Sequence, residues 1–203
     1  MQTRNPDVTK RNILLAAEGE FAEFGLHGAR INRIAEKAKA NKRMIYHYYG
    51  SKEKLYESVL EYNLKKVARL GSHELFLGEK AETAIKEIIT RYYNFLGENP
   101  NFVKIVAWEE VFTSPYNKKM LFEILAPAFY QIYDFYKKGC EAGIFRKNID
   151  LPQLIISTHA MSLISFTQWD ILAKLGSQNT KEKRLKHICE VVLRAIRAGS
   201  FCA

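Results

Sequence analysis

Apolar side chains recur at intervals of three and four residues along nearly the whole of this 203-residue chain. That spacing places them on one face of a helix, whereas a half-buried strand would need strict alternation. Only 11 glycines and five prolines interrupt the pattern, and no Asn-Gly or Asp-Gly pair indicates a tight hairpin. Because 47% of the residues are hydrophobic, the chain can bury a sizeable core. The pattern therefore predicts an all-α protein.

Positive charge is concentrated in one short segment. Between Arg30 and Lys54 there are eight lysines and arginines against two acidic residues, Glu36 and Glu53, a net charge of +6. The whole chain carries +9, so about two thirds of the excess lies in about an eighth of the residues. Evenly spread charge would only favour solubility, but a concentrated patch predicts a polyanionic partner.

The same segment is predicted to form two short helices joined by a tight turn. A first helix is expected over residues 7–23, begun by Asp7 or Thr9 and closed by Gly25 in a left-handed conformation. The second and third are expected over 31–38 and 42–48. This is the layout of a helix-turn-helix, whose second helix enters the DNA major groove. The apolar residues expected in the core of the first two helices are Ile13, Leu14, Ala17, Phe21, Phe24, Ile31, Ile34, Ala35 and Ala38.

The third helix is capped by Asn41 and ended by Gly50 in this interpretation. Its outward face carries Lys42, Arg43, His47 and Tyr48, and a charged three-helix core without a DNA partner would not explain this grouping. The start of such a helix points into the groove, so lysine or arginine there can pair with the two acceptors of guanine. Met44 is expected to lie against a thymine methyl group.

Several motifs occur in order over residues 9–60. They are Phe-Ala-Glu-Phe-Gly at 21–25, Ile-Ala at 34–35, Ile-Tyr-His-Tyr-Tyr at 45–49 and Gly-Ser-Lys-Glu-Lys-Leu at 50–55. This set resembles the N-terminal domain of the TetR family of transcriptional regulators. The resemblance implies phosphate contacts by Tyr46 and Lys52, with Ser51 at a phosphate-binding helix start. The residues expected at the DNA are Arg30, Asn32, Asn41, Lys42, Arg43, Met44, Tyr46, His47, Tyr48, Ser51 and Lys52.

The turn departs from the family pattern. The family usually has Gly-Val-Ser where this chain has Lys39, Ala40 and Asn41. A glycine accommodates a left-handed backbone there, whereas Lys39 would be strained by roughly 1–2 kcal/mol. Arg30 stands where the family often has threonine or serine, and Arg43 replaces a common small residue. These differences prevent an operator sequence from being carried over from relatives.

The remaining helices are predicted to form a second domain. A fourth helix begins at Ser51 and crosses a boundary near residues 66–75. We predict a DNA-binding domain over residues 1–66 and a larger helical domain for effector binding and dimerisation over 67–203. The further helical segments are expected at 81–96, 102–112, 116–139 with a kink or a helix boundary at Pro127, 151–175 and 180–198.

Polar residues are interleaved among apolar ones in the segment 151–175. Buried polar side chains need partners, and a small ligand, a dimer mate or a core network would each supply them. Residues 106–110 and 165–170 also resemble the pyrimidine-sensing TetR-type repressors, which implies that Gln168 contacts a ligand. Plain core packing remains the alternative for most of the aromatic residues. The residues expected around a small apolar or aromatic effector are Trp108, Phe112, Tyr133, His159, Ser162, Gln168 and Trp169.

A homodimer is expected because one recognition helix covers only a few base pairs. The predicted dimer surface consists of residues 151–175 and 180–198, with an apolar stripe on the last helix. The residues of that stripe are Leu185, Ile188, Cys189, Val192 and Ile196.

Other classes of protein are disfavoured by the sequence. It contains no Gly-x-Ser-x-Gly, His-Glu-x-x-His, Cys-x-x-Cys or phosphate-loop motif, so we expect no enzyme, no metal site and no cofactor. The polar N-terminus and interrupted apolar runs predict no signal peptide and no membrane span. Three cysteines without paired spacing are typical of a cytoplasmic protein.

The interpretation is a cytoplasmic, homodimeric repressor that binds a palindromic DNA operator and is released by a small molecule. Two alternatives stay open at this point. One is a DNA-binding regulator that responds only to a protein partner. The other is a helical enzyme or scaffold with a vestigial DNA-binding fold.

Overall fold

Helices make up the regular structure of the protein. The computed structural model describes residues 5–71, 80–112, 115–175 and 180–198, without the side chains of residues 110–116, 172 and 175, and no strand lies within them. The helices are α1 (Pro6–Gly28), α2 (Ile31–Lys37), α3 (Lys42–Tyr49), α4 (Lys52–Leu70), α5 (Ala81–Glu98), α6 (Pro100–Phe112), α7 (Pro115–Glu141), α8 (Leu151–Thr167), α9 (Trp169–Leu172) and α10 (Lys181–Ile196). A short 3-10 turn, Ala173–Leu175, follows α9.

Two compact units share these helices. The first consists of the chain up to Lys66 together with Pro100–Ile124, and the second of Val67–Asn99 together with the chain from Leu125 onward. Residues 100–124 were predicted to belong to the second domain, but they pack with the first unit. The functional division of the chain at residue 66 stays a prediction.

The first unit is built round α1. Ile13, Ala17 and Phe21 are fully buried there, as the periodicity predicted, and Leu14 is half-buried. Phe24 was predicted to be buried but is 40% exposed. Its ring is covered by the guanidinium of Arg33, whose central carbon is 4.0 Å from the ring centre.

The ends of α1 differ partly from expectation. Neither Asp7 nor Thr9 is the N-cap; Asn5 is, since its side chain accepts a hydrogen bond from the amide of Asp7 at 3.0 Å. Gly25 does have a positive φ, 62°, and the helix is kinked at this residue. One further turn to Gly28 follows this kink.

Helices α2 and α3 match the predicted boundaries to within one residue. All four residues predicted in the core near α2 are buried: Ile31, Ile34, Ala35 and Ala38. The side chain of Asn41 accepts from the amide of Arg43 at 2.9 Å, and Gly50 ends α3 with φ of 79°. The hydroxyl of Ser51 then accepts from the amide of Lys54 at 3.2 Å and caps α4.

The second unit buries the apolar stripe of α10 within its own subunit. Ile188, Cys189, Val192 and Ile196 are at most 8% exposed, and the first three pack with Ile89 and Tyr93 of α5. The prediction that this stripe forms the dimer surface is therefore wrong, because the face is already covered by α5 and α8.

Helix α7 continues through Pro127, where a kink or a helix boundary was predicted. Proline has no amide hydrogen and leaves the carbonyl four residues earlier without its helical donor. Pro127 is exposed, so water can reach that side of the helix. Of the two alternatives predicted at Pro127, a kink or a helix boundary, the boundary is wrong and the kink stays a prediction.

The single helix predicted over 151–175 is instead interrupted at Gln168, whose φ and ψ are −129° and 26°. Before this break, four hydroxyl side chains compete with backbone amides for the helical carbonyl oxygens. Each hydroxyl donates to the carbonyl four residues earlier, an interaction that bends helices. The four residues and their acceptors are Thr158 to Leu154, Ser162 to Thr158, Ser165 to Met161 and Thr167 to Leu163.

Candidate nucleic-acid interface

The turn between α2 and α3 is a compact hydrogen-bonded motif. The amide of Ala40 donates to the carbonyl of Ala35 at 2.9 Å, and the amide of Lys39 donates to Glu36 at 3.0 Å. This pattern places one residue in the left-handed region, and that residue is Lys39, with φ of 50°. The turn therefore keeps the geometry for which glycine is usual, and Lys39 adopts it in a conformation that a side chain makes unfavourable.

Helix α3 presents one polar face and one apolar face. Ile45 is fully buried, and Tyr49 is 8% exposed. The hydroxyl of Tyr49 donates to the carbonyl of Lys10 at 2.8 Å and so ties α3 to α1. Burial raises the pKa of Tyr49 to about 12, which keeps the hydroxyl protonated as a donor. Anchoring the buried face fixes which side chains of α3 point outward.

The side chains predicted to contact DNA are exposed or half-buried. Arg30, Asn32, Asn41, Lys42, Arg43, Tyr46 and His47 are exposed, and Met44, Tyr48, Ser51 and Lys52 are half-buried. The rings of His47 and Tyr48 lie edge to face, 5.4 Å apart. All eleven side chains are thus at least partly accessible, and their individual contacts to DNA stay predictions.

Lys52 lies at the start of α4, next to the corner between α1 and α2. Its amine is 3.5 Å from the carbonyl oxygens of both His27 and Ala29. Both distances are at the outer limit for a hydrogen bond, so turning the amine towards a phosphate would cost little. Glu53 follows in the first turn, and its pKa is lowered by hydrogen bonds from its own amide and from Ser51.

A buried carboxylate that the sequence did not single out organises the start of α2. Glu20 of α1 is fully buried and accepts from the amide of Arg30 at 3.0 Å, from Nε of Arg33 at 2.6 Å and from Nζ of Lys37 at 3.2 Å. Burial alone would raise the pKa of Glu20, but these three hydrogen bonds outweigh it and lower the pKa. Two of the basic residues counted in the positive segment are therefore paired with Glu20.

Helix α6 completes the first unit by packing on α1 and reaching α4. The ring of Trp108 lies against Gly25, and its Nε1 donates to the carbonyl of Ala22 at 3.3 Å. The carboxylate of Glu109 accepts from the hydroxyl of Tyr56 at 2.7 Å and from the side-chain amide of Asn117. Burial and the adjacent carboxylate raise the pKa of Tyr56, so Tyr56 stays a donor that joins α4 to α6.

The predicted effector residues belong to both units. Trp108 belongs to the first unit, whereas Tyr133, His159, Ser162, Gln168 and Trp169 belong to the second. The side chain of Phe112 lies outside the described residues. Tyr133 is 57% exposed, and Gln168 is exposed at the end of α8. The prediction of a buried pocket round Gln168 is therefore wrong for this chain.

The other polar residues in that set have partners inside the second unit. Nδ1 of His159 forms a hydrogen bond with the hydroxyl of Tyr92 at 2.6 Å, and Ser162 donates to its own helix. Trp169 lies 5.9 Å from the amine of Lys181. Of the partners that the sequence left open, a core network accounts for these contacts, and contacts of these residues to a ligand or a dimer mate stay predictions.

Residues 13–59 match a family model described as bacterial regulatory proteins of the tetR family, and residues 82–196 match one described as a tetracyclin repressor-like C-terminal domain. The chain belongs to the TetR family. It is thus a DNA-binding transcriptional regulator, as the motifs at 21–25 and 45–55 predicted.

Relatives match over very different shares of the chain. The transcriptional repressor NicS of Pseudomonas putida is 28% identical over 97% of this chain and 96% of its own length. The repressor SCO4008 of Streptomyces coelicolor is 39% identical over 54% of this chain and 53% of its own length. The regulator RutR of Escherichia coli is 42% identical, but over only 29% of this chain and 28% of its own.

Solved structures show the same fold at low identity. The regulator FadR of Bacillus subtilis in complex with stearoyl-CoA has a TM-score of 0.76 and 16% identity, covering 93% of this chain and all of that one. PfmR of Thermus thermophilus has a TM-score of 0.70 and 20% identity, covering 90% and 97% of the two chains. The described residues contain no helix long and apolar enough to span a membrane.

Proposed function

We propose that this TetR-family regulator is a cytoplasmic repressor that binds a palindromic operator as a homodimer and is released by a small molecule. The observation that carries the DNA part is the two-faced α3, whose buried residues Ile45 and Tyr49 hold Lys42 and Arg43 outward. The full-length similarity to the repressor NicS supports repression. The fold shared with FadR, solved with stearoyl-CoA, supports a small-molecule effector.

Base and phosphate contacts divide the interface into two classes. Lys42 and Arg43 at the exposed start of α3 are proposed to contact base edges, where a guanine offers two acceptors. Tyr46 and Lys52 are proposed to hold phosphates, which fix register and salt dependence but carry no sequence information. Arg33 and Lys37 contribute less than their charge suggests, because both are paired with Glu20.

Operator-binding measurements on two variants test this division. Arg43→Ala should weaken binding to the operator by about 1–3 kcal/mol and relax the preference at one base position. Lys52→Ala should weaken binding to all sequences alike and reduce the salt slope by about one unit. Lys119→Ala removes an equally positive but 77% exposed side chain of α7 and is the matched control. If Arg43 and Lys52 variants respond identically to every operator variant, the division is wrong.

A regulator that responds only to a protein partner is the remaining alternative. Thermal unfolding in the presence of a metabolite library separates the two, because a ligand that binds only the folded state raises its stability. A library without any stabilising compound would favour the protein-partner alternative.

A further inference from the structure

Three helices of the second unit, α5, α8 and α10, meet around a group of buried polar side chains. Tyr93 of α5 is 4% exposed, and Ser165 of α8 is fully buried. Arg184, one turn into α10, is half-buried beside them. The ring of Tyr93 packs on Phe166 of α8, with 4.8 Å between the ring centres.

The guanidinium and the hydroxyl converge on one backbone carbonyl. The hydroxyl of Ser165 donates to the carbonyl of Met161 at 2.9 Å, and Nη2 of Arg184 donates to the same oxygen at 3.4 Å. Burial raises the pKa of Tyr93, while Ser165 and the positive charge of Arg184 act to lower it. Because Ser165 and Arg184 share the carbonyl of Met161, and the ring of Tyr93 packs on Phe166 next to Ser165, the three side chains are neighbours.

Two donors in this group have no acceptor. Within the described part of the chain, neither the hydroxyl of Tyr93 nor Nε of Arg184 has a hydrogen-bond partner, although both atoms are buried. Arg184 also forms no ion pair with a described carboxylate. Buried polar groups nearly always have partners, and buried charges are normally paired. An anionic acceptor would satisfy both donors and neutralise the guanidinium.

The side chains around the two donors indicate which chemical groups such an anion has besides its charge. The polar group borders an apolar cluster in which Met161, Phe166 and Leu185 pack on Ile89 and Ile188. A second cation, the amine of Lys181, lies 4.8 Å from the centre of the Phe166 ring. A small molecule with a carboxylate at one end and an apolar body at the other matches both halves of this environment, and a carboxylate can accept from an arginine fork in a planar arrangement.

We propose that Arg184 and Tyr93, next to Ser165, bind a small carboxylate with an apolar body, and that this compound is the effector. Arg184 pairs with the carboxylate, Tyr93 donates the second hydrogen bond, and Phe166 contacts the apolar body. The inference rests on the proposed function in one respect, that a small molecule releases the regulator. The carboxylate competes with the carbonyl of Met161 for Arg184, so binding alters how α10 is attached to α8.

Thermal unfolding and operator binding with four probe compounds test the site. Benzoate and hexanoate are compared with their uncharged amides, benzamide and hexanamide, at concentrations up to about 10 mM, since binding to the folded state alone raises its stability. The carboxylates should stabilise the protein and weaken operator binding, and the amides should do neither. Arg184→Gln should weaken the carboxylate response by about tenfold or more, as expected for loss of a hydrogen bond to a charged group.

Matched variants keep the result interpretable. Arg194→Gln removes an exposed arginine of the same helix and should respond as the unaltered protein does. Tyr93→Phe serves as a second variant if Arg184→Gln does not fold, and it should also weaken the response. For each variant, operator release by a carboxylate is compared with the operator affinity of the same variant without carboxylate.

Several results would overturn the proposal. Absence of stabilisation by both carboxylates, equal stabilisation by the amides, or an undiminished response in Arg184→Gln would each do so. Dissociation of the dimer in Arg184→Gln would assign the guanidinium to a subunit contact instead. If the protein does not bind its operator, the proposed function fails, whereas Arg184-dependent stabilisation by benzoate would still establish the site.

Discussion

Lys39 is the residue at which the sequence and the fold conflict most clearly. Its φ of 50° belongs to the left-handed region, where a side chain is strained by roughly 1–2 kcal/mol. Replacing it with glycine removes that strain. Glycine also gives the unfolded chain more conformational freedom, which cancels about 0.4–1 kcal/mol of the stability gained. Lys39→Gly should therefore raise the free energy of unfolding by about 1 kcal/mol, measured by urea denaturation.

Lys37→Gly is the control for that prediction. Lys37 lies in the last turn of α2 with a helical backbone, where glycine is about 1 kcal/mol less favourable than a good helix former. The two glycine variants should change stability in opposite directions. A loss of stability in both would show that the turn imposes no strain on Lys39.

Glu20 is the residue whose ionisation should govern stability in acid. Its pKa is lowered from the ordinary value of 4.5, so the unfolded state takes up a proton at a higher pH than the folded state does. Stability from this group is complete above pH 4.5 and is lost as the pH falls through the folded pKa. In Glu20→Gln, the free energy of unfolding should be lower by about 1–3 kcal/mol near pH 7 and should depend less on pH below 4.5.

Glu23→Gln gives the comparison for Glu20. Glu23 lies three residues away on α1, but its side chain is 58% exposed, and it pairs with Lys104 at the surface. Exposed ion pairs contribute little, so this variant should keep both the stability and the acid profile of the unaltered protein. Identical acid profiles in the Glu20 and Glu23 variants would contradict the role of the buried carboxylate.

The kink in α1 depends on a glycine for two independent reasons. Gly25 has a positive φ, and a β-carbon there would lie 3.2 to 3.4 Å from the ring of Trp108. Gly25→Ala should cost about 1–3 kcal/mol through strain and overpacking, measured as a fall in the denaturation midpoint. Gly19→Ala is the control, because the nearest atom is 4.0 Å away and alanine favours a helix interior by about 0.5–1 kcal/mol. Destabilisation by both variants would count against the contact with Trp108.

Features of helices that depend on neighbouring residues were predictable from the sequence. The caps at Asn41 and Ser51, the end of α3 at Gly50 and the positive φ of Gly25 follow from local chemistry, although α1 kinks at Gly25 and continues to Gly28. Whether α7 passes through Pro127 was left open, and the break at Gln168 was not predicted. Whether a proline is exposed to solvent depends on how its whole helix packs. The same holds for whether side-chain hydroxyls or backbone amides donate to the carbonyls of a helix.

At the scale of the molecule, the sequence predicted the order of helices but not which of them pack together. Residues 100–124 return to the first unit, and the signals for this are contacts between distant residues, such as Trp108 with Gly25 and Glu109 with Tyr56. Periodicity shows which face of a helix is apolar, but not which partner covers it. The same limit explains why the α10 stripe was assigned to the dimer surface.

We therefore expect a dimer surface that uses other, exposed residues of α8 and α10. Ile156 and Val191 are 58% and 37% exposed, and exposed apolar side chains on these two helices are the remaining candidates for an isologous contact. We expect a dimeric mass in solution at micromolar concentration. Ile156→Glu should shift the protein towards monomer and weaken operator binding, because two half-sites need two recognition helices. Ile144→Glu, at a residue 45% exposed in the loop before α8, should leave the mass unchanged. A monomeric mass for the unaltered chain, or a dimer unaffected by Ile156→Glu, would exclude this surface.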